Sequence, residues 1–378
     1  MDQNNAPGRF FLRFLSYILV AAIASGVTWA LAFAFPSSKL EQISALIEQR
    51  YIGESDKTVL EDAAAAAMVN ALPDRWSTYI PAAQYQSHVE NQNNEYVGIG
   101  VTIVKGESGG FDILEVTEGG PAEEAGVCPG DVITHVDGQD VTGSDTISLQ
   151  ELIPGKANTT VVLTLRRGEE TLELTVKRKV IHQKAATGQL LEGNIGLITI
   201  ENFHKDAGKE TIAQIELLVE QGAEKLIFDV RNNPGGYVDE MNKALDYLLP
   251  EGPLFRSIDY KGNEDVDESN ADCLELPMAV LINGNSYSAA EFFAAALSEY
   301  DWAVTVGEPT SGKGYFQNTL ELMDGSALYL SVGKYFTPNG VSLADAGGLV
   351  PDIAVEPAEG VVTATEDPQI RAAILALE

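Results

Sequence analysis

Cysteine is nearly absent from this chain: two residues, Cys128 and Cys273, in 378. They stand far apart, so neither a disulfide framework nor a zinc site is supported, and both read as unpaired thiols. Histidine is almost as scarce, with only His88, His135, His182 and His204. Positive charge is also short: 24 lysines and arginines against 56 acidic residues leave a formal net charge of −32. Such a chain repels polyanions, which argues against nucleic acid as a partner. Hydrophobic content is an ordinary 45%, and 378 residues allow two or three domains with cores of their own.

One uncharged run stands near the start. Arg9 and Arg13 precede Phe14 to Phe35, a stretch without a charge. It is close to the roughly 20 residues that cross a bilayer as a helix. The arginines predict a cytoplasmic start and an extracytoplasmic remainder. Ala32-Phe33-Ala34 also fits a signal-peptide cleavage pattern, but the apolar run is longer than such a segment usually carries, which favours an uncleaved single-pass anchor.

Past the anchor, LEQISALIEQRYI and TVLEDAAAAAMVNAL carry helical periodicity, the second behind Ser55 and Asp56 as candidate caps, and both read as packing helices. From Tyr96 the pattern turns to short strands around turn residues, a mostly β module of about ninety residues. From about residue 177 it becomes strand, helix, strand: IGLITI, KETIAQIELLVEQG and KLIFDV predict a β-α-β unit in a largely parallel sheet. The strands KLIFDV and MAVLIN run into RNNPGG and NGNSYS, at the sheet edge where α/β proteins build their sites.

Lys313 sits in GEPTSGKGYFQ, which meets the P-loop pattern until Gly314 takes the place of the hydroxyl residue. The residues after it alternate like a hairpin around Asp324-Gly325, whereas a P-loop opens a helix, so the phosphate reading falls. Ser286 or Ser288 would by itself be a helix cap. A serine nucleophile needs a base, and no local signature offers a histidine. A desolvated lysine can serve, because burial disfavours its charge. The spaced carboxylates of NEDVDESNAD (263–272) lack the central glycine and final glutamate of a calcium loop and predict a solvated loop. Asp229 and Arg231 predict an ion pair near the sheet edge.

Two resemblances gather these motifs. PAEEAGVCPGDVITHVDG (121–138) resembles the signature of bacterial PDZ domains, and Tyr96-Val97-Gly98-Ile99-Gly100 resembles their carboxylate-binding loop. There, converging backbone N–H groups and an exposed strand edge receive a peptide terminus. NGNSYSAAE, GEPTSGKGYFQ, LIFDVRNNPGG and GGLVPDI resemble the C-terminal processing peptidases, also called tail-specific proteases, over almost everything after the anchor. The resemblance implies Ser288 as catalytic serine, Lys313 at the usual spacing as general base, and Gln317 orienting the lysine. It implies an oxyanion hole from the N–H of Ala289 and of a glycine, Gly236 in preference to Gly235, and two such donors supply several kcal/mol. Tyr287 stands where many relatives have alanine and narrows the site; LPDRWSTYI departs from L-D-P-H-S-T-Y-L, which bears on helix packing.

The expected α/β protein therefore comprises a cytoplasmic start and transmembrane anchor (1–36), a helical region (37–85), a mostly-β PDZ domain (86–176) and a crotonase/ClpP-like serine protease core (177–378). Its expected function is extracytoplasmic endoproteolysis by a serine–lysine dyad, with no cofactor or metal. Expected partners are protein or peptide substrates with apolar C-terminal tails, the membrane, and a second copy in a homodimer implied by the resemblance. The rivals are an inactive protease fold serving as a PDZ scaffold, an acyl-CoA-handling enzyme and an NTPase; keeping Ser288, Lys313 and Gln317 together argues against the scaffold.

Overall fold

The computed structural model describes residues 14–25, 38–106, 109–143, 152–360 and 362–378. The chain divides into two compact units, Met1–Pro81 and Ala82–Glu378. In the first, residues 14–25 form an exposed helix, α1. The rest of the expected anchor, 26–35, lies outside the described residues, as do Arg9 and Arg13. Among the described residues no helix is long and apolar enough to cross a membrane. Helix α2 (Lys39–Arg50) starts with a capping box: Ser38 Oγ accepts the N–H of Glu41, and Glu41 Oε2 accepts that of Ser38. Asp56, not Ser55, caps α3 (Lys57–Asn70), taking the N–H groups of Thr58 and Val59. The expected packing role is not met within α2: none of its residues is buried, and Leu40, Ile43 and Leu46 stay half exposed. Strand β1 (Thr78–Ile80) ends the unit.

The second unit opens with α4 (Ala82–Gln92) and β2 (Glu95–Gly98). Then β3 (Val101–Lys105), β4 (Phe111–Val116), β5 (Val132–Val136), β7 (Thr160–Arg167) and β8 (Glu170–Lys177) form one antiparallel sheet in that order, with β6 (Gln139–Asp140) paired to β5 and short helix α5 (Pro121–Glu124) between β4 and β5. Period-two alternation builds its core: Val161, Leu163 and Leu165 are fully buried while Val162 and Thr164 are not. Strand β2 pairs with β9 (Lys179–His182) in a separate two-stranded sheet.

The remaining sheet has the order β10 (Ala186–Leu191), β11 (Ile195–Ile200), β12 (Lys225–Asp229), β15 (Met278–Ile282), β16 (Ala303–Gly307), β19 (Ile353–Ala354). Strand β10 runs antiparallel to β11; the other pairings are parallel. Continuous apolar strands such as MAVLI, buried at every residue, are what a sheet covered on both faces requires. On one face Ile198, Phe228 and Val280 meet α6 (Ala207–Glu220), α7 (Val238–Leu248) and α8 (Ala289–Glu299). On the other, Leu197, Ile227, Leu281 and Val306 meet Ile370 and Ala373 of α10 (Pro368–Ala376).

A further antiparallel set links β17 (Tyr315–Glu321) to β18 (Ala327–Phe336), β18 to β13 (Gly252–Asp259), and β13 to β14 (Glu264–Ser269). The hairpin after Lys313 is thus a hairpin, which removes the helix that a phosphate loop needs. The acidic run corrects the expectation of a loop: Glu264–Ser269 is strand, because Asp265, Val266 and Asp267 pair with Ser257, Arg256 and Phe255. Among the described residues no cluster of histidine, cysteine, aspartate or glutamate could hold a metal ion. A short helix, α9 (Leu343–Ala346), lies beyond β18 in the chain.

Candidate active site

Strands β12, β15 and β16 are parallel neighbours, so Asp229, Ile282 and Gly307 finish at one sheet edge and their loops meet there. Backbone and amide bonds join the first two loops: Tyr287 donates its N–H to the Asn233 carbonyl at 3.2 Å, and Asn232 donates to Asn283 Oδ1 at 3.0 Å. Ser286, fully buried, donates its hydroxyl to the Val230 carbonyl at 2.7 Å, so the first of the two candidate serines is spent on tying loops.

Ser288 takes the N-cap position of α8, as a capping serine would, but not in the extended conformation of an ordinary cap. Its φ of 58° and ψ of −130° form a strained turn, a state that costs on the order of 1–3 kcal/mol and persists only where neighbours enforce it. The turn delivers the side chain to the positive end of the α8 dipole, with the N–H of Ala289 opening the helix.

Glu291 enforces it. Fully buried one turn into α8, its carboxylate accepts four bonds: Oε2 takes the N–H of Ser288 at 2.9 Å and of Lys313 at 2.8 Å, and Oε1 takes the N–H of Gly312 at 2.7 Å and the hydroxyl of Thr310 at 2.6 Å. Burial pushes this carboxyl above the ordinary glutamate range, and the four donors pull against that shift. One acid group thereby fixes the backbone of the candidate nucleophile against that of the candidate base. Glu291 lies within the NGNSYSAAE motif, yet sequence reasoning assigns it no role; the Ser-x-x-Glu spacing of a capping box is the signal that could have found it.

Lys313 is 6% exposed and Ser288 7%, so both residues whose backbones Glu291 joins are buried. Lys313 Nζ lies 5.9 Å from the centroid of the Tyr287 ring. Gln317, on β17, donates from Nε2 to the Tyr315 carbonyl and to Ser331 Oγ, both at 3.0 Å, which uses both amide hydrogens and leaves Oε1 as the accepting end. Of the histidines, His182 bonds Glu210 at 2.7 Å, His135 contacts Thr134 in β5 and His88 packs edge-on to Tyr329, while the backbone of His204 adjoins Gly236, where an added Cβ would lie 2.8 Å from the His204 nitrogen.

Both candidate oxyanion glycines adopt positive φ, 85° at Gly235 and 149° at Gly236. A Cβ on Gly235 would sit 2.7 Å from Ser288 Cβ and 2.9 Å from the Ala289 nitrogen, so only glycine lets this loop approach the serine. The Gly235 N–H donates to Asn233 Oδ1 at 2.8 Å and is already engaged. Gly236 bridges Phe203 through its flanking residues: the Phe203 N–H goes to the Gly235 carbonyl and the Tyr237 N–H to the Phe203 carbonyl, neither bond using the Gly236 N–H.

The Asp229–Arg231 pair anchors the glycine loop. Arg231 makes two bonds to Asp229, at 2.9 and 2.6 Å, and reaches Asp367 at 2.8 Å and Gln369 Oε1 at 2.7 Å at the start of α10. Burial opposes ionisation of Asp367, but the Arg231 guanidinium holds its carboxyl below the usual range.

In the β module, Tyr96, Val97 and Gly98 belong to β2, and Ile99 is buried with its carbonyl accepting the Ala122 N–H at 2.9 Å. Gly100 has φ 77° and turns the chain into β3, the terminal strand of its sheet among the described residues. Residues 144–151 lie outside the described residues.

Two stretches of the chain are similar to known families. Residues 194–355 match the model of peptidase family S41, and residues 113–167 match that of a PDZ domain. A "Probable CtpA-like serine protease" of Staphylococcus aureus (strain N315) is 30% identical over 376 residues, covering 94% of this chain and 75% of that protein. One of the same description from Staphylococcus saprophyticus is 31% identical over 322 residues, 84% of this chain and 65% of that protein. A solved structure described as an S41 protease from Bacteroides fragilis NCTC 9343 shares the fold, with a TM-score of 0.55 at 18% identity over 90% of this chain and 98% of that one.

Proposed function

The chain belongs to peptidase family S41 and is a serine peptidase of the CtpA-like kind with a PDZ domain, and on that premise we propose a membrane-anchored extracytoplasmic endopeptidase in which Ser288 and Lys313 form the dyad. The observation that carries this reading is the Glu291 carboxylate, which bonds the backbone N–H of Ser288 and of Lys313 through one oxygen. A binding scaffold has no physical need for a buried acid that registers a strained serine against a buried lysine.

In the proposed mechanism the neutral Lys313 amine accepts the Ser288 hydroxyl proton as Oγ attacks the peptide carbonyl. The N–H groups of Ala289 and Gly236 stabilise the developing oxyanion; Gly236 is preferred because the Gly235 N–H is bonded to Asn233. The lysine returns its proton to the leaving amine, and water then hydrolyses the acyl-enzyme. Gln317 orients the lysine. The loop Tyr96–Gly100 and the edge of β3 receive the apolar C-terminal tail of a protein substrate as an added strand. The uncharged run from Phe14 to Phe35 holds the enzyme to the membrane, with two copies forming a homodimer.

The test uses the full chain in detergent, as wild type, Ser288→Ala and Lys313→Ala, with an unfolded protein bearing an apolar tail and products read by mass spectrometry. Cleavage is expected from the wild type alone, weakening when the tail is made charged. kcat/KM is expected to rise with pH through a single deprotonation. Tail binding without cleavage by the wild type would favour the scaffold.

A further inference from the structure

We propose that Tyr287 is a positioning residue for the lysine base: its ring face holds the ammonium form of Lys313 and thereby sets the pH at which the base becomes available. The inference rests on the reading of Lys313 as general base.

The backbone that carries the ring is fixed from both sides. Tyr287 lies between buried Ser286 and the strained turn of Ser288, and its N–H is bonded to Asn233. Its carbonyl is packed so closely on Gly235 that an added Cβ would approach it to 2.7 Å. The side chain is half buried, and its centroid lies 5.9 Å from Lys313 Nζ, inside the roughly 6 Å over which a ring face attracts a cation. The lysine backbone is held as well, since Glu291 accepts its N–H, and the residue is 6% exposed.

Charged and titratable groups face the pair from several elements. From α8 comes Glu291, spent on four hydrogen bonds; from β18 comes Tyr329, which interacts electrostatically with Tyr287. On β17 the Tyr315 ring lies 5.8 Å from Lys334 Nζ, and α9, whose Ala344 abuts Gly314, bears Asp345.

A ring quadrupole attracts the ammonium and gains little from the neutral amine. The contact therefore delays the appearance of free base as pH rises, and it also favours the charge that forms when the lysine takes the serine proton. Losing the ring should lower the pH midpoint of kcat/KM and the rate at its plateau together. A purely structural role would lower the plateau and leave the midpoint in place.

The experiment compares full-length wild type, Tyr287→Phe, Tyr287→Leu and Tyr287→Ala in detergent. It tracks kcat/KM against pH and, separately, the Lys313 amine by competitive acetylation with acetic anhydride, read on the Lys313 peptide by mass spectrometry. Phe is expected to keep the wild-type midpoint in both assays, and Leu and Ala to lower it by about half a pH unit. Midpoints unmoved in Leu and Ala, or a Phe midpoint shifted as far as theirs, would overturn the proposal. Cleavage surviving in Lys313→Ala would sink the base reading instead, and the acetylation midpoints would still report on the ring.

Discussion

The backbone N–H of Lys313 donates to Glu291 Oε2 at 2.8 Å, across a separation of 22 residues. The same oxygen holds Ser288, so the distance between the two backbones of the proposed dyad is set by one carboxylate with no spare lone-pair direction. Glu291→Gln keeps the shape but turns an NH2 group toward two N–H donors. The expected result is a loss of about 2–4 kcal/mol in urea denaturation, since two buried donors lose their acceptor, and at least a tenfold fall in kcat. Unchanged kcat would show that the dyad holds its geometry without this bridge.

Gly235→Ala should be as damaging for a different reason. The new Cβ would lie 2.7 Å from both Ser288 Cβ and the Tyr287 carbonyl, at a φ of 85° that alanine disfavours. Strain of about 1–3 kcal/mol is expected in thermal unfolding, with cleavage reduced at least a hundredfold because the loop must retreat from the proposed nucleophile.

Acid stability should report on two arginine-held carboxylates. Burial opposes ionisation of Asp367 and Asp131, but Arg231 and Arg167 hold both carboxyls below their usual range. A folded pKa below the unfolded one gives stability that is complete above the unfolded value, about 3.9, and is lost as pH falls through the folded one. The melting temperature should therefore hold near pH 6 and decline below about pH 4. Asp367→Asn should melt lower at neutral pH and decline less steeply in acid; an acid slope identical to wild type would remove Asp367 from the account.

On α8, Phe293 packs its ring 5.5 Å from both Phe203 and Phe228 and is fully buried. Phe293→Ala should cost about 3–5 kcal/mol in denaturant titration. A loss under 1 kcal/mol would mean that the core under α8 refills the space.

Much of this arrangement was legible in the sequence because it depends on local signals. Alternation in FQNTLEL and the Asp324-Gly325 turn exposed the hairpin that excluded a phosphate loop, and glycine-rich turns after apolar strands marked the site edge. The hidden features depend on partners remote in sequence. Glu291 looks like a helix-start acid until the loop at 310–313 folds over it, and nothing local to Arg231 announces Gln369, 138 positions on. The acidic run misled because six strand residues with four carboxylates oppose ordinary strand composition, and only pairing with β13 overrides it.

The tie from Arg231 to Asp367 also has a meaning in time. A ribosome must add 136 residues beyond Arg231 before that guanidinium meets its second carboxylate, and the sheet face of Leu197, Ile227 and Leu281 waits as long for Ile370 and Ala373. Translation thus makes Ser288 and Lys313 before the last segment that packs on their sheet, so the scaffold of the proposed site is completed after its two proposed catalytic residues.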